Sequence, residues 1–207
     1  MTFGYYNGMR ILDAEFVKSV VRFEAGRGPA FPEVCFVGRS NVGKSSMLNT
    51  VVNRKIAKTS STPGATRLIN LYRVRLEWKG AERQALFSDF PGFGYSKVSK
   101  ATYQSWQTMV ETYVSTNPHI RRVIWLLDVR RDMDELDRML LEWLDHLETP
   151  FTLVLTKADK EGPGYLSSKK STYANLVGGE RVFGFSARTG YGKRELLAHL
   201  AESLADL

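Results

Sequence analysis

The sequence predicts an α/β domain of three layers: a mostly parallel six-stranded sheet with one antiparallel edge strand, and helices on both faces. Three observations carry this. Val34-Cys35-Phe36-Val37, Val123-Ile124-Trp125-Leu126-Leu127 and Phe151-Thr152-Leu153-Val154-Leu155 are almost wholly apolar, as strands buried on both faces must be. Between the last two, Leu136, Met139, Leu140, Trp143, Leu144 and Leu147 recur at the spacing of an amphipathic helix. Strands that alternate with helices in this way close parallel sheets through crossover connections.

The bulk numbers fit one such domain. The chain has 207 residues, 43% hydrophobic and 25% charged, enough for one core. No stretch nears the roughly 20 apolar residues of a membrane span, and the start, MTFGYYNGMR, lacks the basic-then-apolar order of an export signal. The single cysteine, Cys35, has no partner for an internal disulfide and reads as a buried core thiol. Cytoplasmic residence is the expectation. Lys and Arg outnumber Asp and Glu by 29 to 22, a net charge of +7. That balance suits a polyanionic partner such as nucleic acid or a ribonucleoprotein, and equally a merely soluble basic protein.

In chain order, residues 1–32 read as an irregular lead-in packed on a single domain spanning 1–207, with one short helical candidate at 14–20. Pro29 and Pro32 precede the first strong strand, at 34–37. Met47, Leu48, Val51 and Val52 then recur at helical spacing. Residues 68–78 alternate apolar with polar, Lys79-Gly80 reads as a turn, and Ala85-Leu86-Phe87 leads a second strand into Asp89. This pair predicts an antiparallel hairpin at the sheet edge. A last short strand is expected at 182–185, followed by a closing helix with Leu196, Leu197, Leu200, Leu204 and Leu207 on one face.

The chemistry concentrates in the connections. GRSNVGKSS (Gly38, Arg39, Ser40, Asn41, Val42, Gly43, Lys44, Ser45, Ser46) has P-loop spacing and the right setting, a strand before and a helix after. Its glycines let backbone N–H groups converge on phosphate oxygens at a helix N-terminus. Lys44 would bridge the β- and γ-phosphates and the Ser45 hydroxyl would coordinate Mg²⁺. Asp89-Phe90-Pro91-Gly92 matches DxxG at a strand end. There Asp89 would hold Mg²⁺ through water and the Gly92 N–H would sense the γ-phosphate. Thr156-Lys157-Ala158-Asp159 is a TKxD guanine-reading box. Its carboxylate accepts from N1–H and the 2-amino group of guanine, whereas adenine would leave it unpaired. The aliphatic stem of Lys157 would lie against the purine. Ser186-Ala187 follows the last strand, where a backbone N–H can meet the guanine carbonyl oxygen. Between the first helix and DxxG, Ser61-Thr62-Pro63-Gly64-Ala65-Thr66-Arg67 reads as a γ-phosphate-sensing loop. Gly64 and Ala65 would line it, and Thr66, with Thr62 as the alternative, would give the second hydroxyl on Mg²⁺.

These residues, in this order, resemble the TRAFAC class of P-loop GTPases. More closely they resemble the EngB (YihA/YsxC) family of ribosome-assembly GTPases, through GRSNVGKSS, STPGATRLIN, DFPGFGYSKV, LTKADK and FSARTG. The resemblance implies the P-loop GTPase sandwich, Mg²⁺-dependent binding of GTP and GDP, slow intrinsic hydrolysis, and association of a monomer with the large ribosomal subunit or its precursor (rRNA and ribosomal proteins). Phe93 stands where Ras-type proteins carry the glutamine that orients the attacking water. The counterpart of Asn41 in several related GTPases ligates K⁺ between the phosphates, so Asn41 joins Lys44, Thr66 and Gly92 as a catalytic candidate. Bonding of Asn41 within its own loop is the alternative, and Arg39 is expected to point outward rather than act as an arginine finger. A P-loop ATPase or kinase, and a nucleotide-dependent binding module with negligible turnover, are the rival functions.

Overall fold

The structure of the chain, a computed structural model, describes residues 9–24, 30–57, 68–93, 100–147, 149–178 and 181–204. The elements are β1 (Arg10–Val20), β2 (Glu33–Gly38), α1 (Lys44–Val52), β3 (Ile69–Trp78), β4 (Ala81–Asp89), α2 (Lys100–Thr116), β5 (Ile120–Asp128), α3 (Glu135–His146), β6 (Phe151–Thr156), α4 (Pro163–Leu176), β7 (Val182–Gly184) and α5 (Lys193–Ser203). The strands form one seven-stranded sheet in the order β1-β3-β4-β2-β5-β6-β7. Pairings from β4 through β2, β5 and β6 to β7 are all parallel.

The apolar runs do what two-sided burial requires. Val34 and Phe36 of β2, Ile124 and Leu126 of β5, and Val154 of β6 join the core under α1 and α5. Their neighbours Cys35, Val37, Val123, Trp125, Leu127, Leu153 and Leu155 point to the opposite core, under α2, α3 and α4. Cys35 is fully buried, and burial together with nearby Glu33 pushes its thiol well above the ordinary range. In α3, Leu140, Trp143 and Leu144 are buried, while Met139 lies at the edge of the stripe at 38% exposure. The helix starts on a capping box between Asp134 and Asp137. Leu196, Leu200 and Leu204 anchor the closing helix, and Leu207 lies outside the described residues.

The hairpin forms as expected, with β3 and β4 antiparallel and Lys79 and Gly80 both at positive φ in the two-residue turn between them. The lead-in does not. Residues 14–20, expected as a short helix, belong to β1, which pairs antiparallel with β3 and makes seven strands where six were expected. The apolar spacing there was mixed, and cross-strand pairing decided the outcome: Ala14 is buried opposite Val74, and Glu15 reaches Arg73. The antiparallel strand β3 is thus covered on its outer side, and β1 runs in the same direction as the parallel strands. At the end of the sheet opposite the glycine loop, the buried carboxylate of Glu33 accepts from Tyr113 and Asn117, both at 2.8 Å, and from Ser88, tying β2 to β4 and to the end of α2.

Candidate functional site

At the carboxyl ends of the parallel strands, four connections meet. Crevices at this edge are where open α/β sheets bind ligands. The glycine loop leaves β2 and enters α1 at Lys44 with Gly43 at φ 110°. No side chain caps this helix, so its first N–H groups face outward as an anion site. Gly38 is required by contact as well as by conformation: a Cβ there would sit 2.8 Å from the Leu126 carbonyl oxygen of β5.

Lys44 is buried, its Nζ resting 3.3 Å from the Gly38 carbonyl across the loop. Burial lowers its pKa, with the charge of Asp89 opposing. Asp89 ends β4 and is 4% exposed. Burial raises its pKa, while Lys44 and a 3.4 Å hydrogen bond from Ser45 Oγ to Oδ2 hold it down. Its other oxygen, Oδ1, is buried with no hydrogen-bond partner. A carboxylate left half-satisfied next to a serine hydroxyl fits a cation held through water and phosphate oxygens. Among the described residues no group of three His, Cys, Asp or Glu side chains is placed to hold a metal ion.

DxxG is joined directly to the glycine loop. The Ser40 N–H donates to the Phe93 carbonyl at 3.0 Å, and Ser40 Oγ reaches the Gly92 carbonyl at 3.3 Å. A Cβ on Gly92 would lie 2.8 Å from both Ser40 Cα and Ser40 N. Phe93 is buried at 3% exposure against Trp106, with ring centroids 4.8 Å apart, and Trp106 Nε1 donates to the Pro91 carbonyl at 2.6 Å. The side chain at the glutamine position therefore belongs to the core.

The base side is built by β6 and β7. A cleft of about 380 Å³ runs from Val42, Gly43 and Ser46 to Asp159, Ala187 and Arg188. The Thr156 hydroxyl is buried and donates to the Val42 carbonyl at 2.7 Å, so it acts as a tie between the two loops. Lys157, at φ 57°, bridges the Asn41 carbonyl at 2.8 Å and Asp128 Oδ2 at 3.0 Å, laying its stem along the rim. Burial opposes ionisation of Asp128, but hydrogen bonds from Arg130 and Lys157 outweigh it and hold the carboxyl below its usual range. Asp159 Oδ1 accepts from Ser186 Oγ at 2.6 Å. The Ser186 N–H donates to the Tyr191 carbonyl, which leaves the Ala187 N–H as the donor available to a base.

Asn41 is exposed at φ 63°, a conformation asparagine tolerates, and among the described residues its side chain makes no hydrogen bond. Bonding within its own loop, the alternative weighed above, is absent. Arg39 was expected to point outward. It is instead 16% exposed and forms a 2.5 Å ion pair with Asp134, the N-cap of α3, so the glycine loop grips the start of that helix. Gly64, Ala65, Thr66 and Thr62 lie outside the described residues.

Sequence reasoning missed four participants: Asp134, Asp128, Arg130 and Arg188. Only Arg188 had a local signal, a basic side chain directly after Ser186-Ala187.

Comparison with known proteins agrees with this geometry. The family described as 50S ribosome-binding GTPase matches residues 33–157. The GTP-binding protein EngB of Syntrophus aciditrophicus is 41% identical over 198 residues, covering 94% of this chain and 97% of that protein. The chain belongs to the EngB family of GTPases. EngB of Aquifex aeolicus is 37% identical over 179 residues, covering 86% of this chain and 94% of that one. Among solved structures, a GTP-binding protein engB superposes with a TM-score of 0.61 at 18% identity, over 84% of this chain and 99% of that one. Aquifex aeolicus Era bound to GDP and AlF4⁻ reaches a TM-score of 0.71 at 22% identity, over 83% of this chain and 56% of that one. At these identities the superpositions establish the P-loop GTPase fold alone.

Proposed function

We propose that this EngB-family GTPase is a switch in assembly of the large ribosomal subunit, with its GTP form docking on the precursor particle. The observation that carries the nucleotide half of this reading is the cleft in which the P-loop, Asp159 and Ala187 converge from three separate connections, with Asp89 of a fourth joined to the P-loop through Ser45. Lys44 and the glycine-loop N–H groups would bind the phosphates, while Asp159 and the Ala187 N–H would read guanine. Ser45, Asp89 and Thr66 would hold Mg²⁺, which neutralises charge on the β- and γ-phosphate oxygens. The large subunit is supported by the matching family's description, and ribosomal RNA contact in general by the basic net charge of +7 and by Era, solved in complex with part of the small-subunit 16S ribosomal RNA. In a competition assay GTP and GDP displace a fluorescent guanine nucleotide and ATP does not; displacement by ATP would reinstate the ATPase or kinase alternative. Large-subunit precursors should be captured by the protein with a GTP analogue and released with GDP. Equal capture by both forms would remove the switch. Capture that weakens steeply with salt would mark the contact as phosphate-dominated.

Catalysis by a side chain at the Phe93 position is ruled out by its burial in the core. We assign stimulation of turnover to K⁺, with the side-chain oxygen of Asn41, which makes no hydrogen bond among the described residues, as its ligand. Turnover of wild-type protein should be faster in K⁺ than in Na⁺, and Asn41→Gly should lose the difference. Glycine is the informative replacement because it accepts the positive φ of this position without strain. Equal wild-type rates in the two salts would end the idea.

A further inference from the structure

Arg188 donates from Nε to Asp159 Oδ2 at 2.8 Å, while Ser186 Oγ holds Oδ1 at 2.6 Å. Both oxygens of the carboxylate assigned to guanine are therefore engaged by the protein itself. The chemistry of the two donors is alike. The edge of guanine that Asp159 would read carries N1–H and the 2-amino group on one carbon, which is a guanidine fragment. The arginine head group is a guanidinium, planar, with the same side-by-side donors. Arg188 offers the carboxylate a partial copy of the ligand.

The surroundings let one partner move and hold the other still. The Arg188 side chain is 70% exposed and that of Asp159 is 8% exposed. The turn beneath is closed by the Gly190 N–H on the Ser186 carbonyl at 2.9 Å and the Thr189 N–H on Ser186 Oγ at 3.2 Å. Release of Arg188 thus needs only a change of side-chain rotamer. The Ser186 hydrogen bond and then the Arg188 charge keep the Asp159 carboxyl below its ordinary pKa, so the acceptor stays ionised while it waits. Without Arg188, a carboxylate lining the cleft would face it with Oδ2 lacking its donor.

We propose that Arg188 is a built-in competitor for the guanine base: it occupies Asp159 in the nucleotide-free protein and swings off when a guanine nucleotide binds. This rests on Asp159 being the guanine-reading carboxylate. Every binding event then exchanges one guanidine-type donor for another, so the net gain from the base is smaller than for an empty carboxylate. The residue lowers guanine-nucleotide affinity and slows capture, while keeping the empty site neutralised.

The test measures GDP affinity and association rate on nucleotide-free protein with a fluorescent GDP, for wild type, Arg188→Ala, Arg188→Lys, Asp159→Ala and the Asp159→Ala/Arg188→Ala pair. Removing an exposed ion pair that competes with ligand should tighten GDP binding about two- to fivefold in Arg188→Ala, carried by faster association. Arg188→Lys, which keeps the charge but loses the fork, should fall between the two. In the Asp159→Ala background, removing Arg188 should change nothing. Weaker or unchanged binding in Arg188→Ala overturns the proposal, and weaker binding would make Arg188 a brace on the bound base. Failure of Asp159→Ala to reduce GDP affinity is a different result, and it overturns the guanine assignment of Asp159 itself.

Discussion

Gly92 sits at a tight joint of the site, where DxxG touches the glycine loop. Its missing side chain does two jobs, because the residue whose N–H is proposed to meet the γ-phosphate is also one where Ser40 leaves no room for a Cβ. Gly92→Ala should force the two segments apart at a cost of about 1–3 kcal/mol. That exceeds the gain from a stiffer unfolded chain, roughly 0.4–1 kcal/mol. The expected outcome is a lower melting temperature together with weaker GDP binding; a wild-type melting curve would show that the loops give way freely. Residues proposed to meet a phosphate or a base could be picked from the sequence, since that chemistry demands a type at a spacing. Arg39 with Asp134, 95 positions apart, and Arg188 with Asp159 were not. Their roles come from meeting a partner, and a single sequence does not record meetings.

At the scale of elements, β6 leads into Asp159, the carboxylate proposed to read guanine, and carries a clamp on the glycine loop. Thr156→Val keeps the shape of the strand and removes the hydroxyl that donates to the Val42 carbonyl. A lost buried hydrogen bond of this kind costs about 1 kcal/mol. GDP affinity should fall with it, because the loop that cradles phosphate loses its tie to the base side. Paired urea unfolding and GDP titration measure both; a stability loss without an affinity loss would show the tie to be purely structural. The buried strands and α3 were readable because two-sided burial and a strong amphipathic stripe leave plain patterns. β1 left none. Its Phe16 and Val17 are about half exposed, its charges pair across to β3 and to Arg54 just after α1, and only Ala14 is fully committed to the core. Its existence depends on β3 offering an open edge, which is a property of another segment.

For the whole molecule, the pH response should carry the mark of His199. It is 5% exposed on α5, with Nε2 2.7 Å from the Thr152 hydroxyl of β6. Burial first, and then the charges of Arg122 and Arg181, pull its pKa from 6.5 to about 4. The folded protein resists this protonation and the unfolded chain does not. The contribution is therefore intact above pH 6.5 and is lost as pH falls toward 4. Asp137 works in the other direction: burial raises its carboxyl to about 6, so its protonation below that pH favours the folded state. The informative quantity is thus the stability difference between wild type and His199→Gln. Followed by thermal unfolding from pH 7.5 to 4, the wild type should lose ground to the variant through this window. A difference that stays constant with pH would contradict the burial argument.

The spread of the cleft along the chain has a consequence for how the protein is made. Its phosphate loop lies at residues 38–46, while Ser186, Ala187 and Arg188 follow the last strand, more than 140 positions later. A chain emerging from the ribosome exposes the first half of the pocket long before the second exists. β1, the first strand synthesised, must likewise wait for β3. Guanine nucleotide can be gripped at both ends only once β7 has joined the sheet. On the proposed assignment, two-ended capture of a guanine nucleotide is therefore a late event in the life of the nascent chain, and it would report completion of the fold.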